Sequence, residues 1–400
     1  MQLIPEILAN HSEMSQLRRD LHTFPELSFE EIRTSDVVAQ YLERLGIEVH
    51  RGLAKTGVVG ILRRGTTGRM VGLRADMDAL PIEELNTFPH RSLNFGKMHA
   101  CGHDGHTAML LGAARYLSEH GAFDGCVVFI FQPAEERGGG ARVMIDDGLF
   151  ANFPVEAVFG LHNWPGIPAG HFGVTEGPIM ASSNEFRVDV RGIGSHAALP
   201  QNGRDPVFCT IQIANALQGI VTRFKDPADT AVLSITHIQA GDAPNVVPDR
   251  AWLGGTVRAL SRDVLDLIEM KTQQISQGIA QALECTVDVS FNRNCPATIN
   301  TSAETRIAIK AMEAVAGPSN VTANVAPTMG SEDFAHMLNV KPGCYAFIGN
   351  GNGDAREFGH GPGPCVLHNA SYDFNDDILP VGSTYWVRLV ERFLPIGDII

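Results

Sequence analysis

Several features are scarce in this chain of 400 residues, and each scarcity excludes something. No apolar run approaches the roughly 18 residues of a membrane-spanning helix, so no membrane partner is expected. Basic residues are outnumbered: 31 Lys and Arg stand against 45 Asp and Glu, a formal net charge of -14. With no Lys/Arg run to offset it, that balance argues against a nucleic-acid surface; the acidity serves solubility. Seven cysteines are scattered, at Cys101, Cys126, Cys209, Cys285, Cys295, Cys344 and Cys365. They form no close-spaced pair and are odd in number, which speaks against a disulfide framework and for a reducing compartment. The opening Met1-Gln-Leu-Ile-Pro-Glu6 has no basic stretch ahead of a long apolar core. No signal peptide is read there, and a cytoplasmic location is expected. Internal repeats and low-complexity tracts are also missing. What remains is ordinary globular composition, 44% hydrophobic and 19% charged, in a chain too long for one compact core. Two domains are the natural expectation.

Chemistry is concentrated in one stretch, Met98-His-Ala-Cys-Gly-His-Asp-Gly-His106. It runs into an apolar, Ala-rich segment, Thr107–Leu117, at helical spacing. Cys101 and His103 therefore lie in a loop and on the first turn of a buried helix. Two residues apart, a thiolate and an imidazole can point at one shared spot, and both are good ligands for a transition metal. Taken singly, each of these residues reads better as part of a solvated, His-rich loop with a buried thiol.

The surrounding pattern alternates helices and strands. Residues 1–47 read as two helices broken at Pro25, the second stopping at Gly46. Strand signals follow at Gly57–Leu62 and Met70–Arg74, with a turn at Gly65–Gly68 between them. The second strand runs into Asp76 and Asp78, spaced to project to one side of a strand end; alone, a polar turn explains them equally well. Gly125–Phe131 is a continuous apolar run, the mark of a strand buried on both faces, and it ends in Gln132-Pro-Ala-Glu-Glu136. Residues 141–148 look helical. Ala157–Leu161, ending in His162, is the third buried strand with a ligand-type residue at its carboxyl edge. Open α/β sheets form their sites at the carboxyl ends of strands.

Near residue 183 the pattern changes. An alternating strand at Phe186–Val190 precedes a glycine-rich turn, Gly192–Pro200. Then come a helix near 205–223, strands near 230–239 and 250–258, a helix near 261–283 and a strand near 285–292. That β-α-β-β-α-β order is ferredoxin-like, with helices on one face of the sheet. From about 296 the first pattern resumes: a helix near 302–316, a strand at Cys344–Gly349, a glycine-rich loop from Gly349 to Gly363 carrying His360, then His368 and a last helix near 379–394. The expected fold is α/β: a mostly parallel sheet flanked by helices over 1–183 and 296–400, interrupted by an inserted α+β domain over 184–295.

Five candidate ligands emerge: Cys101, His103, Glu136, His162 and His368. A mixed S/N/O set suits zinc or manganese better than magnesium or calcium, and leaves cobalt and nickel open. Two metals about 3.5–4 Å apart need one bridging ligand and two more each, which five residues supply. Glu135 is left free beside them to carry a proton.

The chain resembles the di-metal aminoacylase and carboxypeptidase family, and within it the amidohydrolase branch of hippurate hydrolases, N-acyl-amino-acid amidohydrolases and auxin-conjugate hydrolases. The likeness runs from His22-Thr-Phe-Pro-Glu-Leu-Ser-Phe29 to Leu367-His-Asn369. It is carried by Arg74-Ala-Asp-Met-Asp-Ala-Leu-Pro81, Met98–His106, Gln132–Glu136, Gly192-Ile-Gly-Ser-His-Ala197 and Pro244-Asn-Val-Val-Pro248. The resemblance implies a di-zinc exopeptidase-like fold with the inserted domain as lid and dimerisation domain. It also implies that Cys101 bridges two divalent ions, that His103, Glu136, His162 and His368 complete their sites, and that Glu135 is general base and then general acid. Asp76 stands where related branches carry a ligating histidine, and Asp78 would orient a ligand. His196 would reach a neighbouring subunit's site to stabilise an oxyanion, and Asn245 would bind substrate. Arg258 is a candidate clamp for a substrate carboxylate, or a plain surface arginine.

The expected protein is thus a homodimer or higher oligomer that hydrolyses the amide bond of a small N-acyl amino acid. The rival readings are a dipeptidase or carboxypeptidase with the same chemistry, and a non-catalytic metal- or ligand-binding protein on this scaffold. A thiol-redox reading centred on Cys101 predicts activity that survives chelation.

Overall fold

A computed structural model describes residues 1–354 and 358–397. The chain divides into two compact units. The first comprises Met1–Ile179, Ile299–Ala326 and Asp333–Ile400; the second comprises Met180–Thr298 and Pro327–Glu332. The short return segment Pro327–Glu332 falls outside the boundaries read from the sequence. It is drawn into the second unit by hydrogen bonds from the Ala181 N–H to the carbonyls of Thr328 and Gly330, at 3.1 and 2.9 Å.

The first unit is built on an eight-stranded sheet. Its order is Glu48–Leu53, Gly57–Arg64, Gly125–Gln132, Met70–Asp76, Ala157–Pro165, Gly343–Gly351, Phe172–Gly173 and Val321–Thr322. The four central strands run parallel, and antiparallel pairs lie toward both edges. The mostly parallel sheet flanked by helices is therefore as expected. Met70–Asp76 and Gly125–Gln132 are buried along their whole length, which explains their near-continuous apolar character.

Two details differ from the pattern reading. Glu48–Leu53 is an edge strand whose largely exposed side chains gave it no apolar signal. His162 lies inside its strand rather than just past it, because parallel pairing with Gly343–Gly351 continues through His162 opposite Phe347. Of the glycine-rich loop 349–363, residues 355–357 lie outside the described residues.

The helix His103–His120 is the centre of the core. Residues His103 to Ala114 are all buried, and the helix packs against Leu379–Phe393 and His11–Thr23. Gly102 precedes it at φ 90°, and a Cβ there would lie 2.3 Å from Asn163 Nδ2 and 2.4 Å from the Tyr372 hydroxyl. Only glycine fits that corner. One turn on, a Cβ at Gly105 would meet the buried Phe374 ring at 2.2 Å. Gly105→Ala should overpack this contact and destabilise the chain by about 1–3 kcal/mol, read as a lowered Tm in a thermal melt.

The second unit carries a four-stranded antiparallel sheet in the order Ala231–Ala240, Arg250–Ala259, Ser183–Arg191 and Thr286–Cys295. With helices Pro206–Gly219 and Arg262–Ala282, this is the ferredoxin-like arrangement anticipated from the element order. Phe186, Val188 and Val190 alternate inward to meet Cys209, Ile213, Leu217 and Ile268. The opposite face is polar, with Arg187 over the Trp252 ring at 3.9 Å. Among the described residues all seven cysteines are buried and free, and no helix is long and apolar enough to cross a membrane.

Candidate metal centre

Four chain segments bring the candidate ligands together, those around residues 101–103, 136, 162 and 368. The left-handed turn at Gly102 places Cys101 and His103 on either side of the helix start. Parallel pairing of the central strands sets His162, and the Asn163 amide donates to the Cys101 carbonyl at 2.6 Å. The His368 backbone N–H donates to the Ala100 carbonyl at 2.7 Å, and His368 itself sits at φ 61°. Left-handed backbone is unusual for a non-glycine residue and clusters at functional sites.

The donor atoms fall into two triads with Cys101 in common. Cys101, His103 and His162 offer one set within 4.8 Å of one another; Cys101, Glu136 and His368 offer a second. Hydrogen bonding has already chosen the free ring nitrogens. His162 Nδ1 donates to the Asn163 carbonyl at 2.6 Å, leaving Nε2 facing Cys101 Sγ at 3.4 Å. His103 Nδ1 donates to Asp78 Oδ1 at 3.2 Å, leaving Nε2 turned inward. Bonding at one nitrogen fixes the tautomer and aims the other lone pair at a ligand.

A cation fits this arrangement. His103 Nε2 and Glu136 Oε1 are buried and make no well-formed hydrogen bond; they face each other at 3.9 Å, and His368 Nε2 lies 3.2 Å from Glu136 Oε1. Leaving such atoms unmet costs about 1–3 kcal/mol each, a penalty that coordination removes. His106, by contrast, is spoken for. Its Nδ1 bonds Asp76 Oδ1 at 2.6 Å, and its Nε2 accepts from Asn163 N–H at 2.9 Å. Asp76 is held in turn by Arg74 Nη1 at 2.7 Å. These two are therefore props of the site rather than free donors.

The electrostatics agree. Burial opposes charge on His103, but Asp76, Asp78 and Glu136 outweigh it and push its pKa up to about 10. The pocket is short of positive charge. Burial, followed by His106, holds His162 well below the usual histidine range, so its imidazole is neutral and available. Burial, then Glu136 and Glu135, pushes the Cys101 thiol well up. A thiolate there needs a cation beside it.

Asp78 organises the loop that carries the carboxylates. Its Oδ1 accepts from Glu135 N–H at 3.1 Å and its Oδ2 from Glu136 N–H at 3.0 Å, while Ser28 Oγ donates to Oδ2 at 2.7 Å. The Glu135 carboxylate lies within 4.8 Å of ligand atoms of both His103 and Glu136, and its Oε1 accepts from Asp333 N–H at 3.4 Å. Glu31, Arg74, His106, Asn163 and Asp333 were not singled out from sequence. Two of them carried a signal: Arg74 is polar inside an otherwise apolar strand, and His106 closes the histidine-rich stretch that begins at Met98.

In the second unit, His196 and Asn245 come together despite their separation in sequence. His196 pairs with Val246 in a two-stranded ribbon, and the Asn245 carbonyl accepts from Ala197 N–H at 3.0 Å. Both line an open cavity of about 620 Å³. His196 is exposed, and its Nδ1 accepts from Ala198 N–H at 3.0 Å. Arg258 is half-buried and donates to Ser331 Oγ at 3.1 Å.

A parallel sheet that gathers thiol, imidazole and carboxylate donors beside a further carboxylate is the frame of a metal-dependent hydrolase. The profile of peptidase family M20/M25/M40 matches residues 72–392. A hippurate hydrolase of Campylobacter jejuni is 41% identical over 98% of this chain and 100% of its own length. Thermostable carboxypeptidase 1 of Saccharolobus solfataricus is 38% identical, covering 94% of each chain. A solved Bacillus subtilis structure, described as a dinuclear metal-binding peptidase of the M20 family, superposes with a TM-score of 0.82 at 34% identity, covering 96% of this chain and 98% of that one. The chain belongs to peptidase family M20/M25/M40, in its amidohydrolase branch.

Proposed function

We propose that this chain hydrolyses the amide bond of an N-acyl amino acid with the aid of two divalent ions, zinc or manganese before cobalt or nickel. The observation that carries the reading is the pair of donor triads sharing Cys101, with the Glu135 carboxylate beside them. His103 and His162 would hold one ion, Glu136 and His368 the other, with Cys101 common to both. Such ions supply Lewis acidity to a scissile carbonyl and to an attacking water.

The protein's own groups do the rest. Glu135 takes a proton from the attacking water and delivers it to the leaving amine. Asp78 fixes the His103 tautomer and anchors the Glu135 and Glu136 peptides. His196, presented by a second copy of the chain, donates to the oxyanion. Asn245 binds the substrate, and Arg258 grips its carboxylate once released from Ser331. The exposed edge strand Ala231–Ala240 supports a dimer through the second unit. A cytoplasmic location accords with seven free thiols.

A carboxypeptidase reading is supported by the Saccharolobus relative. The test is metal content by plasma emission together with hydrolysis of hippurate, N-acetylmethionine and a dipeptide. About two metals per chain are expected. Turnover of an acyl amino acid should exceed that of the dipeptide, vanish with chelator and return with zinc or manganese. Preference for the dipeptide would transfer the assignment to the carboxypeptidase reading. Activity indifferent to chelation would overturn both.

A further inference from the structure

We infer that Glu31 is a positioning residue for Glu135, acting through the Ala134 peptide. The inference rests on the reading of Glu135 as the proton-transfer group.

It starts from a conformation the sequence does not favour. Ala134 lies at φ 55° and is fully buried. Left-handed backbone is uphill for any L-residue bearing a Cβ, and alanine has no side-chain group to offset it. Neighbouring contacts must therefore hold it. The Ala134 carbonyl accepts from Gly140 N–H at 2.9 Å, and its N–H donates to Glu31 Oε1 at 2.9 Å. Glu31 is itself fully buried, and its other oxygen accepts from Thr56 Oγ1 at 2.6 Å. Burial pushes the Glu31 carboxyl's pKa up, so the anchor rests on its two short contacts, to Ala134 N–H and Thr56 Oγ1, and not on its charge.

Three successive backbone N–H groups are thus held by two buried carboxylates. Ala134 goes to Glu31; Glu135 and Glu136 go to Asp78. The two carboxylates differ in one respect. Asp78 also bonds His103, so removing it disturbs a candidate ligand. Glu31 bonds Thr56 and Ala134, and its path to the chemistry runs through the turn that aims Glu135. Glu31 stands at the start of the helix Ile32–Arg44, where its carbonyl accepts from Ser35 N–H at 2.9 Å, so the anchor is rigid.

A displacement of about 1 Å at a reacting group can cost about 100-fold in rate. Glu31→Ala is expected to lower kcat by about 10- to 100-fold, with KM and metal content unchanged. Glu31→Gln keeps an acceptor for Ala134 N–H and should restore most of the rate. Should the alanine variant fail to fold, Glu31→Asp withdraws the carboxylate by one methylene and should give a smaller loss of the same kind.

The discriminating measurement is Ala134→Gly in each background. Glycine removes the left-handed penalty, so it should recover part of the rate lost in Glu31→Ala or Glu31→Asp and change little alone. Hydrogen exchange of the peptide spanning 132–137 should quicken in Glu31→Ala. Full kcat in Glu31→Ala, loss of metal from it, or no recovery with Ala134→Gly would each overturn the inference. A wild-type chain without turnover of acyl amino acids would instead sink the reading of Glu135. The exchange experiment would then decide by itself whether Glu31 holds the turn.

Discussion

Glu135→Gln should retain its full metal content and lose about 10²- to 10⁴-fold in kcat. The two effects separate because Glu135 lies outside both Cys101 triads, while its backbone N–H, not its side chain, binds Asp78. Glutamine has nearly the same shape, so the turn from Pro133 to Gly140 and the bonds of Asp78 survive. What changes is acid–base strength: an amide oxygen cannot take a proton from water at neutral pH, and the amide N–H hydrogens are too weakly acidic to be given to an amine. The residual rate measures what the metals and substrate binding achieve without proton transfer. Paired measurement of metal by plasma emission and of kcat on hippurate checks this. A variant within tenfold of wild type would remove Glu135 from its role even if the metals were intact. Loss of metal would make it a ligand instead.

The contrast between Glu135 and Glu136 shows how far sequence could go. Two adjacent carboxylates after a buried strand announce chemistry, since an isolated charged turn seldom follows eight buried residues. The division of labour proposed for them depends on direction. Glu136 Oε1 faces His103 and His368, at 3.9 and 3.2 Å. The chain reaches the two glutamates through a left-handed residue, Ala134 at φ 55°, and that turn leaves no mark in the sequence. Glu31 was invisible for a related reason. It lies 103 positions from Ala134 and reads locally as one more acidic residue before a helix. The same holds for Asn163, whose contacts with Cys101 and His106 exist only because the central strands pair in parallel.

The alternation of strands and helices, and the switch to half-exposed strands near residue 183, were legible because burial on two faces or one directly sets the spacing of apolar residues. The edge strand Glu48–Leu53, largely exposed, carries no such imprint. Nor does the return segment Pro327–Glu332, which joins the second unit through backbone hydrogen bonds that any sequence can make. Gly105 shows the opposite case. It looks like casual variation in the sequence, yet its missing Cβ is what admits the Phe374 ring.

Cys101 should be the most sensitive position for metal binding. It alone belongs to both triads, so Cys101→Ala reduces each to two donors. His162→Ala or His368→Ala reduces one and leaves the other complete. Stoichiometry should therefore fall from about two per chain to near zero in Cys101→Ala, and to about one in either histidine variant. Activity should be lost in all three, so the distinction lies in the metal count. The thiol is a demanding choice of shared donor. Burial and then the nearby Glu136 and Glu135 push its pKa well up, so a thiolate there would depend on the cations proposed for it. Cys101→Asp separates charge from chemistry. A carboxylate offers two oxygens and ionises readily, so it should recover both metals where Cys101→Ser, a neutral hydroxyl, recovers neither. Titration with zinc after chelation, followed by equilibrium dialysis, reads all five variants on one scale. If Cys101→Ala kept one tight metal, the two triads would be independent sites, and the shared-ligand reading would give way to one ion with a second, looser neighbour.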